Sequence, residues 1–371
     1  MATTPQASGV RLDPALPGRY YFDPSILEQE WERIFRRSWI YIGREDRLSG
    51  PGDYLTLPVG SESVLVLRDH DRRLRAFYNV CRHRGSRLCA AEAGTLRSSI
   101  QCPYHSWTYG LDGRLLGAPN LKDAAGFCKE DFSLAPVDLE VWRGFVFILL
   151  EGGGETLATR LGGMPDRVRR YPLEDLKVER RTVHDVEANW KILFENYHEC
   201  YHCPGAHPEL CDLVPLYGTG AVDVVGGDVV ARFRKGAITL TRDGSTRRPL
   251  FSGLGDEKRL FNGESILPNM WMNYLPDFIQ TRVLWPLSPT RTRIVTEWLF
   301  EGSTMARPDF DARDVYDFTM LISDQDWKIC EEVQRGVGSR SLRHGVLGPL
   351  EEYVVEFDRW VLEQLGGRLD A

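Results

Sequence analysis

Two short loops constrain this chain more than any other feature. CRHRGSRL sets Cys81 and His83 two positions apart, CPYHSW sets Cys102 and His105 three apart, and 18 residues separate the pairs. Each pair lies in a Gly- or Pro-containing stretch and is expected on a loop. Two thiolates and two imidazoles could hold one tetrahedral zinc ion. Cys-x-His is tight for that purpose, because zinc knuckles usually leave about two to four residues between ligands. The spacing better suits a loop that offers a thiolate to one iron and an imidazole to another. Zinc stays open as the competing reading.

A second constellation lies in NWKILFENYHECYHCPGAHPEL, Asn189 to Leu210. A helix predicted over Ala188–Tyr201 gathers Trp190, Leu193, Phe194, Tyr197, Cys200 and Tyr201 on an apolar stripe. Glu195, Glu199 and His202 fall opposite, where the plain reading is a solvated face. His202 and His207 are five residues apart, about 140° in an unbroken helix. Pro204 and Gly205 between them predict a break that turns both imidazoles toward one metal. A facial triad also needs a carboxylate. In a helix predicted near Ala312–Arg335, the stripe Val315, Phe318, Ile322, Ile329 and Val333 contains Asp326, whereas Asp324 points away. Burying a carboxylate is costly unless it is paired or binds metal. An arginine or backbone partner would satisfy Asp326 equally, Glu195 could be the acid in place of Glu199, and His198, Cys200, His202, Cys203 and Cys211 could form a zinc site.

Around these clusters the chain reads as two domains. At 371 residues it exceeds the size of most single cores. Short β-rich runs (Tyr54–Val59, Ser63–Arg68, Ala76–Val80, Gly144–Leu150) alternate with turns up to the glycine-rich stretch Glu151–Gly163, beyond which helices bracket further strands. The expected division is a helical entry segment 1–40, a β domain 41–155 and an α+β domain 156–371. Ordinary hydrophobic and charged contents of 42% and 27% exclude a disordered or fibrous chain. A formal charge of −7 argues against nucleic acid or an anionic membrane as main partner. With no apolar run long enough to span a bilayer and no leader pattern, a cytoplasmic location is expected. The eight cysteines then favour metal ligation or buried thiols over disulfides.

Taken together, the two constellations resemble the alpha (oxygenase) subunit of the Rieske non-haem iron oxygenases, over nearly the whole chain. The resemblance implies an α+β fold, with an N-terminal antiparallel β-sandwich Rieske domain and a C-terminal helix-grip catalytic domain. It assigns Cys81 and Cys102 to one iron and His83 and His105 to the other iron of a [2Fe-2S] cluster. Replacing two thiolates by neutral imidazoles raises the potential of such a cluster. His202, His207 and Asp326 become ligands of a mononuclear Fe(II). Glu199 becomes a catalytic acid that links this site to the cluster histidine of a neighbouring subunit, which implies a homotrimer. Respiratory Rieske proteins carry an extra cysteine in each box, and Tyr104 stands at one of those places, so the likeness is to the oxygenase branch and Cys89 is a core thiol. The 18-residue interval is slightly long for the family, and Glu199 replaces the usual Asp, as in the carnitine monooxygenase branch.

The resemblance further implies dioxygen as co-substrate, with electrons from NAD(P)H arriving through a separate flavin and iron-sulfur reductase or a ferredoxin. Gly152, Gly153 and Gly154 lack the context of a dinucleotide site. The segments ENYHECYHCPGAHPEL, LPNMWMNYLPD and QDWKICEEVQRG resemble the glycine betaine, stachydrine and carnitine oxygenase branch. That branch implies hydroxylation of a quaternary ammonium compound beside nitrogen, leading to N-demethylation or C–N cleavage. Trp271, Tyr274, Phe278 and Trp285 could wall a pocket for the cation or be strand core. An aromatic-ring hydroxylating oxygenase is the alternative, and a plain electron carrier a third.

Overall fold

The computed structural model describes residues 12–121, 124–153, 155–225, 228–257, 260–342 and 345–367. Chain contacts divide it into two compact units, one formed by Trp31–Gly162 with Leu267–Asn269 and the other by Met1–Glu30, Gly163–Ile266 and Met270–Ala371. The secondary structure is α+β, with antiparallel sheets in both units.

In the first unit, alternating β-branched and polar residues give a sheet of Asp53–Val59, Glu62–Arg68, Leu74–Tyr78 and Ala93–Thr95, and two three-stranded sheets stand beside it. Ser99–Gln101, Thr108–Gly110 and Leu115–Gly117 form the sheet that carries one of the Cys/His loops. Both loops close in the same way. The Cys81 N–H donates to the Ser86 carbonyl and the Gly85 N–H to the Cys81 carbonyl, while the Cys102 N–H donates to Trp107 and the Ser106 N–H to Cys102. The fifth residue of each loop has a positive φ, 71° at Gly85 and 57° at Ser106. Glycine is suited to that conformation, whereas Ser106 adopts it against the ordinary preference of an L-residue. The loops rest on a core that includes Leu65, Phe77, Cys89, Trp107 and Tyr109.

The second unit is built on a seven-stranded antiparallel sheet. Its spatial order is Leu176–Val186, Arg291–Glu301, Ile279–Ser288, Met270–Tyr274, Leu260–Ile266, Asp228–Arg232 and Asp223–Val225. The long helix Arg313–Val337 lies on one face, held where Trp298 Nε1 donates to Thr319 Oγ1 at 3.0 Å. Its buried stripe runs through Val315, Thr319, Ser323 and Cys330. Val333, expected on that stripe, is 42% exposed.

The helix Trp190–Tyr197 packs against this long helix. Asn189 caps its start by accepting the Lys191 N–H, an arrangement worth about 1 kcal/mol. Lys191 and Glu30, both fully buried, form an ion pair, and Trp190 Nε1 donates to the same carboxylate at 2.7 Å. The pair fixes the rotation of the helix, since losing either partner would strand a buried charge.

Candidate metal centres and cavity

The segment after Tyr197 departs from the expected helix. The His198 N–H reaches back to both Phe194 and Glu195 carbonyls, tightening and ending the helix, and two short helices follow at Cys203–Ala206 and Pro208–Leu213. Prolines near the first position of each start a new turn without losing an internal N–H bond. Tyr201 therefore leaves the predicted stripe and is 63% exposed. Glu199 lies outside the helix as well. It meets His202 through a turn, with Oε2 accepting the His202 N–H at 3.1 Å and Oε1 facing Nδ1 at 2.5 Å.

These breaks bring His202 and His207 together, ring centroids 5.2 Å apart and planes at 82°. Asp326 of the long helix completes the group, its Oδ1 lying 2.7 Å from His207 Nε2 and 3.3 Å from His202 Nε2. Among the described residues, this is the set whose ligand atoms all fall within 4.8 Å of one another. Both imidazoles are oriented from behind. Glu199 holds Nδ1 of His202, while Gln325 Oε1 lies 2.8 Å from Nδ1 of His207 and its amide donates to Glu209 at 3.2 Å. Both Nε2 atoms are thus left facing Asp326, an arrangement typical of metal-bound histidines.

Electrostatics fit a cation here. Burial lowers the proton affinity of His202, but Asp326 and Glu199 outweigh it and raise its pKa to about 9. Burial raises the Asp326 carboxyl, and the two imidazoles more than reverse that shift. Two carboxylates and two imidazoles thus draw positive charge to one point. The competing assignments find no support in this geometry. Glu195 is turned away to accept the Tyr21 hydroxyl at 2.8 Å, and His198 faces Ser265 Oγ at 2.8 Å. Cys200 and Cys203 form a disulfide, against the expectation of thiols, and both lie in the core.

The triad opens on a cavity of about 320 Å³ in the second unit. Of the four aromatics read as either cavity wall or strand core, Trp271 lines the cavity, stacked on Tyr197 at 4.6 Å and 16°. Tyr274 and Phe278 are fully buried in the core, and Trp285 does not line the cavity. Tyr217, Phe261, Trp327 and Tyr353 supply further aromatic surface. Arg282 and Gln280 also line it. Neither stood out in the sequence, because strand alternation alone does not distinguish a cavity face from a packed one.

In the first unit Cys81 and Cys102 are buried, and the His83 and His105 rings stand 4.7 Å apart, with His83 stacked on Trp107. Burial raises the Cys102 thiol, and N–H groups of Tyr104 and His105 more than offset it, together with Cys81 and Ser86. Nδ1 of His105 is buried with no hydrogen-bond partner among the described residues. An orphaned imidazole nitrogen beside two converging thiols fits a metal cluster better than a solvated loop. Cys89, in contrast, is a core thiol that burial pushes up to about 11.

The family model described as the Rieske [2Fe-2S] domain matches residues 38–133, and that of the ring hydroxylating alpha subunit (catalytic domain) matches residues 173–367. The chain belongs to the Rieske non-haem iron oxygenases, and it is an oxidoreductase. It is 31% identical to the glycine betaine monooxygenase oxygenase subunit of Pseudomonas aeruginosa, over 95% of this chain and 89% of the relative. It is 40% identical to the carnitine monooxygenase oxygenase subunit of Escherichia coli, over 54% of each. Its fold matches the crystal structure of the quaternary ammonium Rieske monooxygenase CntA in complex with L-carnitine, at a TM-score of 0.78 and 29% identity, covering 95% of this chain and 96% of that one.

Proposed function

We propose that the chain is the oxygenase component of a multicomponent monooxygenase that hydroxylates a quaternary ammonium compound beside nitrogen, leading to N-demethylation or C–N cleavage. The observation that carries this reading is the aromatic lining of the cavity onto which His202, His207 and Asp326 open. A ring face attracts a desolvated quaternary cation with about 0.5–2 kcal/mol. Relatives that act on glycine betaine and carnitine favour this class over aromatic-ring hydroxylation.

In this reading Cys81, Cys102, His83 and His105 hold the [2Fe-2S] cluster, and His202, His207 and Asp326 hold one iron. When bound, these groups supply stored electrons and a centre for activating dioxygen. The protein's own part is positioning. Glu199 and Gln325 fix the imidazole tautomers, and the stacked pair Tyr197 and Trp271 presents ring surface. Electrons come from NAD(P)H through a separate reductase. Glu199 joins His202 to the cluster ligand His105 of a neighbouring subunit in a homotrimer. Among the described residues no helix is long and apolar enough to cross a membrane.

Metal and sulfide analysis tests the site assignment, with about three irons and two acid-labile sulfides expected per chain. Stoichiometric zinc without sulfide would overturn it. Substrate class is tested by reductase-dependent oxygen uptake with a panel of betaines and aromatic acids, with formaldehyde or a cleaved amine as product. Turnover of aromatic acids alone would refute the quaternary ammonium reading.

A further inference from the structure

The cavity wall that carries Trp271 of the aromatic stack has an unusual chemistry. Trp271 of the strand Met270–Tyr274 pairs directly with Arg282 of Ile279–Ser288, and two positions along, Asn273 pairs with Gln280. Because side chains alternate across a sheet, Trp271, Asn273, Gln280 and Arg282 all project to one face. All four line the cavity. The indole Nε1, the Gln280 Nε2 and the Arg282 Nε are each buried without a hydrogen-bond partner among the described residues. Asn273 uses its Oδ1 to accept the Tyr197 hydroxyl at 2.9 Å.

Arg282 is the decisive group. Among the described residues its guanidinium makes one hydrogen bond, from Nη2 to Ser323 Oγ at 2.5 Å, and has no carboxylate within ion-pair distance. Arginine stays charged in proteins and offers five donors in a rigid fork that fits a carboxylate. A largely buried charge without a carboxylate partner and two buried neutral donors left unpaired are each costly, and on a cavity wall a ligand can satisfy them. Nearby Asp326 attracts the guanidinium without reaching it. A bare cation in this cavity would meet the repulsion of Arg282. A molecule that brings its own carboxylate neutralises it.

We infer that Arg282, with the Trp271 and Gln280 N–H groups, forms a cradle for the carboxylate of the substrate, so that the cavity selects a zwitterionic betaine over an uncharged-tail cation such as choline. This rests on the quaternary ammonium reading and sharpens it. The carboxylate sits on the sheet face at Arg282, which determines specificity without taking part in bond breaking.

The test is equilibrium binding to the metal-loaded enzyme by calorimetry. Glycine betaine, carnitine, choline and benzoate are compared on the wild type, Arg282→Gln and Gln280→Met. A charge-assisted pair lost from a buried site should weaken betaine or carnitine binding about 10- to 100-fold in Arg282→Gln and leave choline unchanged or tighter. Gln280→Met keeps the length of the side chain and removes one neutral donor. It should weaken the same ligand by about two- to tenfold with choline unaffected, which keeps the test valid should Arg282→Gln fail to fold. Wild-type binding of choline as tight as that of both betaines, a parallel loss for choline and betaine in either variant, or binding of none of the carboxylates would overturn the inference. Benzoate binding that depends on Arg282, without binding of any trimethylammonium compound, would uphold the cradle and remove the quaternary ammonium reading instead.

Discussion

Glu199 and His202 are joined twice, by the carboxylate at 2.5 Å from Nδ1 and by the backbone N–H at 3.1 Å from the second oxygen. The double contact locks the ring with Nε2 toward Asp326 and His207. It also places a carboxylate directly behind a candidate ligand, where it can hold a proton and tune the basicity of the imidazole without binding the ion.

Glu199→Gln keeps the shape and an acceptor for the backbone N–H but removes the charge. The mononuclear iron should be retained, and reoxidation of a prereduced cluster on adding substrate and oxygen should slow by about 10- to 100-fold. Rapid-mixing absorbance of the cluster reads this directly. Stoichiometric loss of iron would make Glu199 a direct ligand, and an unchanged rate would remove it from electron transfer.

Asp326 contacts both imidazoles, whereas Asp324, two residues earlier in the same helix, is exposed. Asp326→Ala should lose the mononuclear iron and all turnover while the cluster keeps its colour. Asp324→Ala should change stability by no more than about 0.5 kcal/mol, as surface changes usually do. Iron analysis of the two purified variants decides, and the reverse pattern would refute the assignment.

Much of this arrangement could be read from the chain because ligand spacing is local. Cys81 with His83 and Cys102 with His105 need only a loop each, and Asp326 betrayed itself as a charge among Val315, Phe318 and Ile322. What the pattern missed depends on longer-range geometry. Whether a helix continues past Tyr197 is decided by how the His198 N–H is satisfied, and not by the periodicity of Cys200 and Tyr201. The Trp271 and Arg282 pair lies across a strand register that residue type does not encode. Tyr274 and Trp271 look alike in sequence, yet one is core and the other faces the cavity.

The Tyr109 hydroxyl accepts the Arg82 N–H at 3.0 Å, so its proton is directed to Cys81 Sγ at 3.3 Å. Hydrogen bonds to cluster sulfurs favour the reduced state. Tyr109→Phe should therefore lower the midpoint potential by about 40 mV, the one-electron equivalent of a hydrogen bond near 1 kcal/mol. Redox titration followed by electron paramagnetic resonance measures the shift. An unchanged potential would mean that the hydroxyl does not reach the ligand sulfur.

Asp358 is fully buried, and it accepts the Leu16 N–H at 3.2 Å and faces Glu195. Burial, then the charge of Glu195, pushes Asp358 up to about 9, and burial raises Glu195 to about 7. Both folded-state values exceed the unfolded values near 4, so the native state keeps protons that the unfolded chain releases. Stability from this pair is fully present below the unfolded pKa and is lost as pH rises through the folded values, from about 4 to about 9. Asp358→Asn still offers an acceptor to Leu16 and can donate to Glu195, but it no longer titrates. Its thermal midpoint should approach the wild type's toward pH 4 and exceed it increasingly up to pH 9, where the gain should be about 1–3 kcal/mol. Melting curves between pH 4 and 9 give the test. A variant whose deficit grows toward alkaline pH would show that Asp358 is ionised in the folded protein and paired by another group.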